Sequence, residues 1–142
     1  MKKVLILHPE GNINSNPNLN GIVEILCEND YKVDICSLKR KEIIQNSPCS
    51  GANMILLDRE GVSSEDGFFI LAGRSFTSSE MIASYFDKNF GGYDLVIGVD
   101  RGIIEAAIIA RVKRVPCGLI SYEIFFEEEA GVEFKHPERE AC

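Results

Sequence analysis

The sequence predicts a doubly wound α/β fold, in which a mostly parallel sheet carries helices on both faces. Two strand–helix–strand patterns support this prediction, one near each end of the chain, with a less regular stretch between them. The predicted strands are apolar at nearly every position, which is typical of parallel strands covered on both sides. We therefore expect one Rossmann-like domain spanning residues 1–142.

The first pattern occupies the amino-terminal 36 residues. Residues 4–7 are β-branched or aliphatic and predict a strand. The helix that follows has its apolar residues at i, i+3, i+4 and i+7, the spacing of one helix face. These residues are Leu19, Ile22, Val23 and Leu26. The helix is expected to end near Asn29, and residues 32–36 supply the second strand of a βαβ unit.

The middle of the chain is less regular. Residues 39–46 predict a short helix that Pro48 would stop. Residues 53–57 and 68–72 both have the composition of strands, with a polar stretch between them. They would form either a hairpin or two strands joined by a longer excursion.

The second pattern begins with a helix whose two ends are marked in the sequence. Thr77 and Glu80 have the spacing of a capping box, and Gly91 is expected to end the helix. Residues 94–99 then predict a buried strand.

A nearly apolar helix is predicted next, over residues 101–114. Asp100 precedes it and is expected to cap its first turn through the carboxylate. Pro116 opens the last predicted strand, residues 117–121.

Composition excludes several classes of protein. The formal net charge of −7 argues against a nucleic-acid binder, whose affinity comes from clustered Lys and Arg. No apolar run approaches the roughly 20 residues that a membrane span needs. The five cysteines are odd in number and contain no CxxC pair, so we interpret them as reduced thiols of a cytoplasmic protein. Neither His8 nor His136 has a partner at metal-ligand spacing, so no metal is expected.

Ligands of open α/β sheets bind beyond the carboxyl ends of the strands, and this rule selects the candidate site. The candidate residues follow the first strand, the strand of residues 94–99 and the last strand. They are Gly11, Asn12, Asn20, Gly21, Asp100, Arg101, Tyr122 and Glu123.

Gly11 and Gly21 bracket an Asn-rich stretch that leads into a helix N-terminus, where free N–H groups favour an anion. The stretch contains neither GxGxxG nor a P-loop, which are the two standard motifs for nucleotide binding. We therefore expect no bound cofactor. An ordinary surface loop ending in an Asn helix cap would have the same composition.

The remaining candidates each have two interpretations. Asp100 is either a helix cap or a carboxylate that contacts a ligand hydroxyl in the crevice. Arg101 lies at the helix end that disfavours positive charge, which is tolerated where the charge has a function. Glu123 is either a ligand contact or the start of a solvated acidic run. His8 directly follows the first strand, where a base would face the crevice, although a single His there is more often structural; no catalytic residue is assigned.

Three pieces of the sequence carry a resemblance. Residues 3–8 with 21–35 form the first, and residues 93–100 with 115–120 form the second. The third is Ser121-Tyr122-Glu123. Together they resemble the N-terminal domain of GT-B-fold retaining glycosyltransferases, which use nucleotide sugars.

The resemblance implies an acceptor-side domain that is inactive without a C-terminal donor domain. It places the loop from Gly11 to Gly21, Asp100 and Glu123 near the acceptor and donor phosphates. The family's Gly-Gly pair in the first loop is missing, and Tyr122 stands where a His is common. The family's Glu pair spaced eight apart also has no counterpart. We therefore expect the chain to be part of a longer enzyme that binds a nucleotide sugar and an acceptor, with an exposed interface that favours a homodimer.

Two alternatives remain open from the sequence. One is half of a nucleotide-sugar epimerase, which shares this type of sheet. The other is a stand-alone flavodoxin-like binding or regulatory module. In that module the Asn-rich loop would hold a phosphate or flavin, or Asp58 or Asp100 would be a receiver-type carboxylate.

Overall fold

The computed structural model describes residues 1–9, 13–57 and 79–122. The described strands form one five-stranded sheet in the order β3-β2-β1-β4-β5, and every pairing is parallel. The strands are β1 (Lys2–Leu7), β2 (Tyr31–Leu38), β3 (Ala52–Leu57), β4 (Leu95–Val99) and β5 (Cys117–Ile120). The α-helices are α1 (Pro17–Glu28), α2 (Ser79–Phe90) and α3 (Ile103–Lys113). The predicted doubly wound, Rossmann-like sheet is confirmed.

The core has two layers, one on each face of the sheet. Val4 and Ile6 of β1 belong to the cluster that includes Leu19 and Val23 of α1. The alternate residues of the same strand pack with α2 and α3 on the opposite face. All four residues at positions 4–7 are completely buried, which explains why this strand is apolar throughout.

The helix ends follow local sequence. Asn16 caps α1, because its side-chain oxygen accepts a hydrogen bond from the backbone N–H of Leu19 at 3.2 Å, and Pro17 occupies the first turn. The predicted end of α2 is confirmed, since Gly91 follows it with a φ of 80° that favours glycine. Thr77 and the predicted strand at 68–72, with its choice of hairpin or excursion, lie outside the described residues.

The predicted helix at residues 39–46 is wrong, because these residues form a loop. The Gln45 side chain accepts a hydrogen bond from the Arg40 backbone N–H at 2.8 Å and donates one to the Leu38 carbonyl at 2.9 Å. The backbone N–H of Lys39 meanwhile donates to the Leu57 carbonyl, which extends the pairing of β2 with β3. Sheet pairing and the Gln45 amide therefore provide hydrogen-bond partners for backbone N–H and C=O groups that would otherwise bond within a helix.

The predicted helix cap at Asp100 is also wrong. Asp100 begins a 3₁₀ turn, Asp100–Gly102, and α3 starts after Gly102 without a side-chain cap. The Asp100 carboxylate instead accepts a hydrogen bond from the backbone N–H of Tyr122 at 2.8 Å. The carboxylate therefore bonds to a residue distant in sequence and not to an N–H group in the first turn of α3.

Candidate functional site

The strand order places a crevice between β1 and β4. The chain adds β2 and β3 on one side of β1, and β4 and β5 on the other. At such a switch point the connections leave the sheet in opposite directions and open a cleft at the carboxyl ends of the strands. His8 follows β1 and Asp100 follows β4, so both residues flank this cleft.

His8 is held by its backbone and buried by its surroundings. Its N–H donates to the Cys36 carbonyl at 2.9 Å, and its own carbonyl accepts from the Ser37 hydroxyl at 2.6 Å. The side chain is 9% exposed, and its Nδ1 atom has no hydrogen-bond partner among the described residues.

Opposing effects set the charge of His8. Burial lowers the pKa of its imidazole, and the nearby negative charge of Asp100 partly opposes that effect. Because burial dominates, the ring is neutral at neutral pH. A neutral imidazole beside a carboxylate is able to accept a proton from a ligand hydroxyl.

Asp100 joins the ends of two strands. Its backbone has a φ of 51°, a left-handed conformation that is uncommon for residues other than glycine. This turn, together with the bond from the Tyr122 N–H, holds its carboxylate between the ends of β4 and β5. The structure therefore brings the predicted residues Asp100 and Tyr122 together, with Asp100 acting on His8 across the switch point.

Two glycines that sequence reasoning passed over make this geometry possible. A Cβ added at Gly102 would overlap the Leu7 carbonyl oxygen and lie 3.0 Å from the Leu7 Cβ. A Cβ at Gly98 would lie 2.6 Å from the Cβ of Ala106. The turn after β4 therefore packs directly on β1, which keeps Asp100 close to His8. The only signal in the sequence was a pair of glycines four residues apart across the strand end.

The first loop is shorter than predicted. Asn20 and Gly21 lie inside α1, so the loop ends at Asn16 and not at Gly21. The helix N-terminus also has fewer free donors than expected, because Pro17 has no N–H and the Leu19 N–H donates to the Asn16 side chain. This reduces the capacity of the α1 N-terminus to bind an anion.

Gly11, Asn12 and Glu123 lie outside the described residues. Arg101 lies in the 3₁₀ turn and is half-buried. Glu105, in the first turn of α3, is 1% exposed and was missed by the sequence analysis. A single Glu in an apolar helix gives no sign of burial until the packing of that helix is known.

A separate cavity of about 140 Å³ lies on the α2 and α3 side of the sheet, near the start of β4. Its lining includes Leu5, Phe86 and Tyr93, with Gly91 and Gly92 preceding β4. It is smaller than the pockets of several hundred Å³ that drug-sized ligands fill. Within the described ranges, no group of three His, Cys, Asp or Glu side chains is placed to hold a metal ion. Nor is any helix in those ranges long and apolar enough to span a membrane.

The described sheet and its switch point define a Rossmann-type α/β domain with a cleft at the carboxyl ends of β1 and β4. Among solved structures, the chain is similar to the calicheamicin glycosyltransferase CalG4, with a TM-score of 0.56 and 12% sequence identity. The match covers 99% of this chain and 40% of that one, so the chain spans less than half the length of the neighbour. At this identity the likeness shows the fold. No protein-family model and no curated protein sequence matches the chain.

Proposed function

We propose that this chain is the N-terminal, acceptor-side domain of a nucleotide-sugar-dependent glycosyltransferase. The observation that carries the proposal is the placement of buried His8 and half-buried Asp100 on either side of the switch point. The fold likeness to a glycosyltransferase, over 40% of its length, supports the same function. The donor-side domain would be supplied by a further part of the protein, and the domain alone would be inactive.

The chemistry of the cleft suits activation of an acceptor hydroxyl. Transfer of a sugar requires the acceptor oxygen to lose its proton as it attacks the anomeric carbon. A neutral His8 would take that proton, and the Asp100 carboxylate would stabilise the imidazolium that forms. Burial of His8 keeps its pKa low enough for the ring to be unprotonated before the reaction.

The stereochemistry separates this role from the retaining mechanism that the sequence resemblance implies. Attack assisted by a base on the face opposite the leaving phosphate inverts the anomeric centre in one displacement. Retention requires attack from the same face as the leaving group or two successive displacements. An inverted product would support His8 as the base, and a retained product would support the resemblance and move the proton transfer elsewhere.

The wider proposal keeps the remaining predicted residues. Arg101, Tyr122 and Glu123 would contact the acceptor or donor, as would Gly11 and Asn12 in the first loop. Asn20 and Gly21 would contribute only through the first turns of α1.

The four described cysteines are free thiols, which supports a cytoplasmic location. Leu119 on the edge strand β5 is 55% exposed and would favour the proposed homodimer, which size-exclusion chromatography would detect.

The strand order argues against the flavodoxin-like alternative. In that fold the first strand lies between the second and third strands of the order 2-1-3-4-5. Here β1 lies between β2 and β4, and β3 pairs with β2. Absence of yellow colour in the purified protein would be a simple second check.

The test compares the 142-residue chain with the complete product of its gene. Each is incubated with a panel of uridine and thymidine diphosphate sugars, with and without a mixture of hydroxyl acceptors, and nucleoside diphosphate release is measured. The proposal predicts release that depends on an acceptor in the complete protein and none from the isolated chain. Release without an acceptor would favour an epimerase, and activity of the isolated chain would contradict the proposed division between two domains.

A further inference from the structure

Two cysteines that play no part in the proposed site contact each other on the face of the sheet that α1 covers. Cys27 lies in the last turn of α1, and Cys49 lies in the loop between β2 and β3. Their Sγ atoms are 3.4 Å apart, and both residues pack against the same buried cluster.

The backbone around Cys49 is held in place locally. The Ser47 hydroxyl oxygen lies 2.6 Å from the carbonyl oxygens of both Cys49 and Ala52. The Ala52 N–H also donates to the Cys49 carbonyl at 3.2 Å, which closes the turn into β3. The two sulfurs are therefore kept in contact by ordered segments at both ends.

Gly51 allows the loop to approach α1. A Cβ at this position would lie 3.0 Å from both the Cβ and the Sγ of Cys27. Any larger residue would push the loop away from the helix, and the contact between the sulfurs depends on this close approach.

We propose that Cys27 and Cys49 form a reversible intramolecular disulfide when the protein meets a low-molecular-weight disulfide of the glutathione class. One thiol loses its proton to solvent, and its sulfur attacks the oxidant to form a mixed disulfide with release of one small thiolate. The second thiol then loses its proton and attacks the protein sulfur of that mixed disulfide, and the second small thiolate leaves. The protein loses two protons and two electrons, and the oxidant is reduced to two thiols.

Proximity, and not thiol acidity, selects this pair. Burial and the neighbouring Cys49 raise the pKa of Cys27 to about 11, so little Cys27 thiolate exists at neutral pH and attack by Cys27 on the oxidant is slow. The second step is fast because the partner sulfur is already in contact. Cys36 is fully buried and Cys117 lies on β5, away from this pair, so neither competes for the second step.

The bond would tie the end of α1 to the loop between β2 and β3. It would close a segment of 22 residues and so reduce the conformational freedom of the unfolded chain. We expect the oxidised protein to melt about 5–10 °C above the reduced protein.

Peptide mapping tests the proposal directly, because trypsin sites place all five cysteines on different peptides. The folded chain is treated with oxidised glutathione, blocked with iodoacetamide and digested without reductant. The expected product joins peptides 4–32 and 42–59. It should form in wild type and in the matched control Cys117→Ser, and disappear in Cys27→Ser and in Cys49→Ser.

The melting temperature supplies the second readout. Oxidation should raise it in wild type and in Cys117→Ser, and reductant should reverse the change. The proposal is overturned if both thiols are recovered as carbamidomethyl cysteine, if glutathione remains attached to either one, or if the linked peptide appears without any rise in melting temperature.

Discussion

Replacing Gly102 with alanine should destabilise the protein through one contact between the turn after β4 and strand β1. The new Cβ would overlap the Leu7 carbonyl oxygen and lie 3.0 Å from two further Leu7 atoms. Two of these three atoms belong to the backbone of a fully buried central strand, so they cannot move aside by a change of rotamer. The 3₁₀ turn must shift instead, and α3 must shift with it.

The size of the effect follows from two opposing contributions. Overpacking a well-packed core costs about 1–3 kcal/mol, and contact with backbone favours the upper part of that range. Gly102 has an ordinary φ of −89°, so alanine also gains about 0.4–1 kcal/mol from a less flexible unfolded chain. The free energy of unfolding should therefore fall by about 2 kcal/mol, equivalent to a melting temperature roughly 5–10 °C lower.

Gly21→Ala is the matched control, since it is the same chemical change with the opposite expected sign. Gly21 lies inside α1, and a Cβ there would meet nothing within 4 Å. Alanine is a better helix former, so this variant should gain about 0.5–1 kcal/mol. Urea denaturation of the three proteins measures both effects. The reasoning is refuted if Gly102→Ala is as stable as wild type or changes in the same direction as Gly21→Ala.

Three further perturbations test the fold and the site. Asn16→Ala removes the cap of α1 and should lower the free energy of unfolding by about 1 kcal/mol in urea, whereas Asn16→Asp should largely preserve it. Tyr93→Phe removes the hydroxyl that donates to buried Asp34 at 2.9 Å, and should cost about 1–3 kcal/mol; an unchanged urea midpoint would contradict this. Because burial lowers the pKa of His8, the unfolded state binds more protons below the ordinary pKa of about 6.5. Wild type should therefore lose stability relative to His8→Gln as pH falls from 7 to 5, and parallel pH profiles would show that His8 is not buried as described.

The sheet could be predicted because its strands are encoded locally. Residues 4–7 are apolar on both faces, a pattern that is typical of a central strand covered by helices on both sides. The helix α1 could be predicted for the same reason, since Leu19 and Val23 repeat at helical spacing and both are completely buried. The end of α2 could be predicted from Gly91, because glycine readily adopts the positive φ that ends many helices.

The details of the site could not be predicted because they depend on distant partners. Asp100 is a residue type that often caps helices and stands just before one, but its carboxylate accepts a hydrogen bond from the backbone N–H of Tyr122, 22 residues away. The loop at residues 39–46 likewise has helical composition, but Lys39 pairs with Leu57 in the sheet. The burial of His8 and its proximity to Asp100 follow from the order of β1 and β4, which no local pattern contains.

The role of His8 is tested by the rate of sugar transfer by the complete gene product with and without this residue. In the proposed mechanism His8, assisted by Asp100, accepts the proton of the acceptor hydroxyl. His8→Ala should lower kcat by roughly 10²–10⁴-fold while the circular dichroism spectrum and the KM for the nucleotide sugar stay close to wild type. Glu28→Ala, at the exposed end of α1, should leave kcat unchanged. A His8→Ala protein that transfers sugar within about twofold of the wild-type rate would contradict the claim.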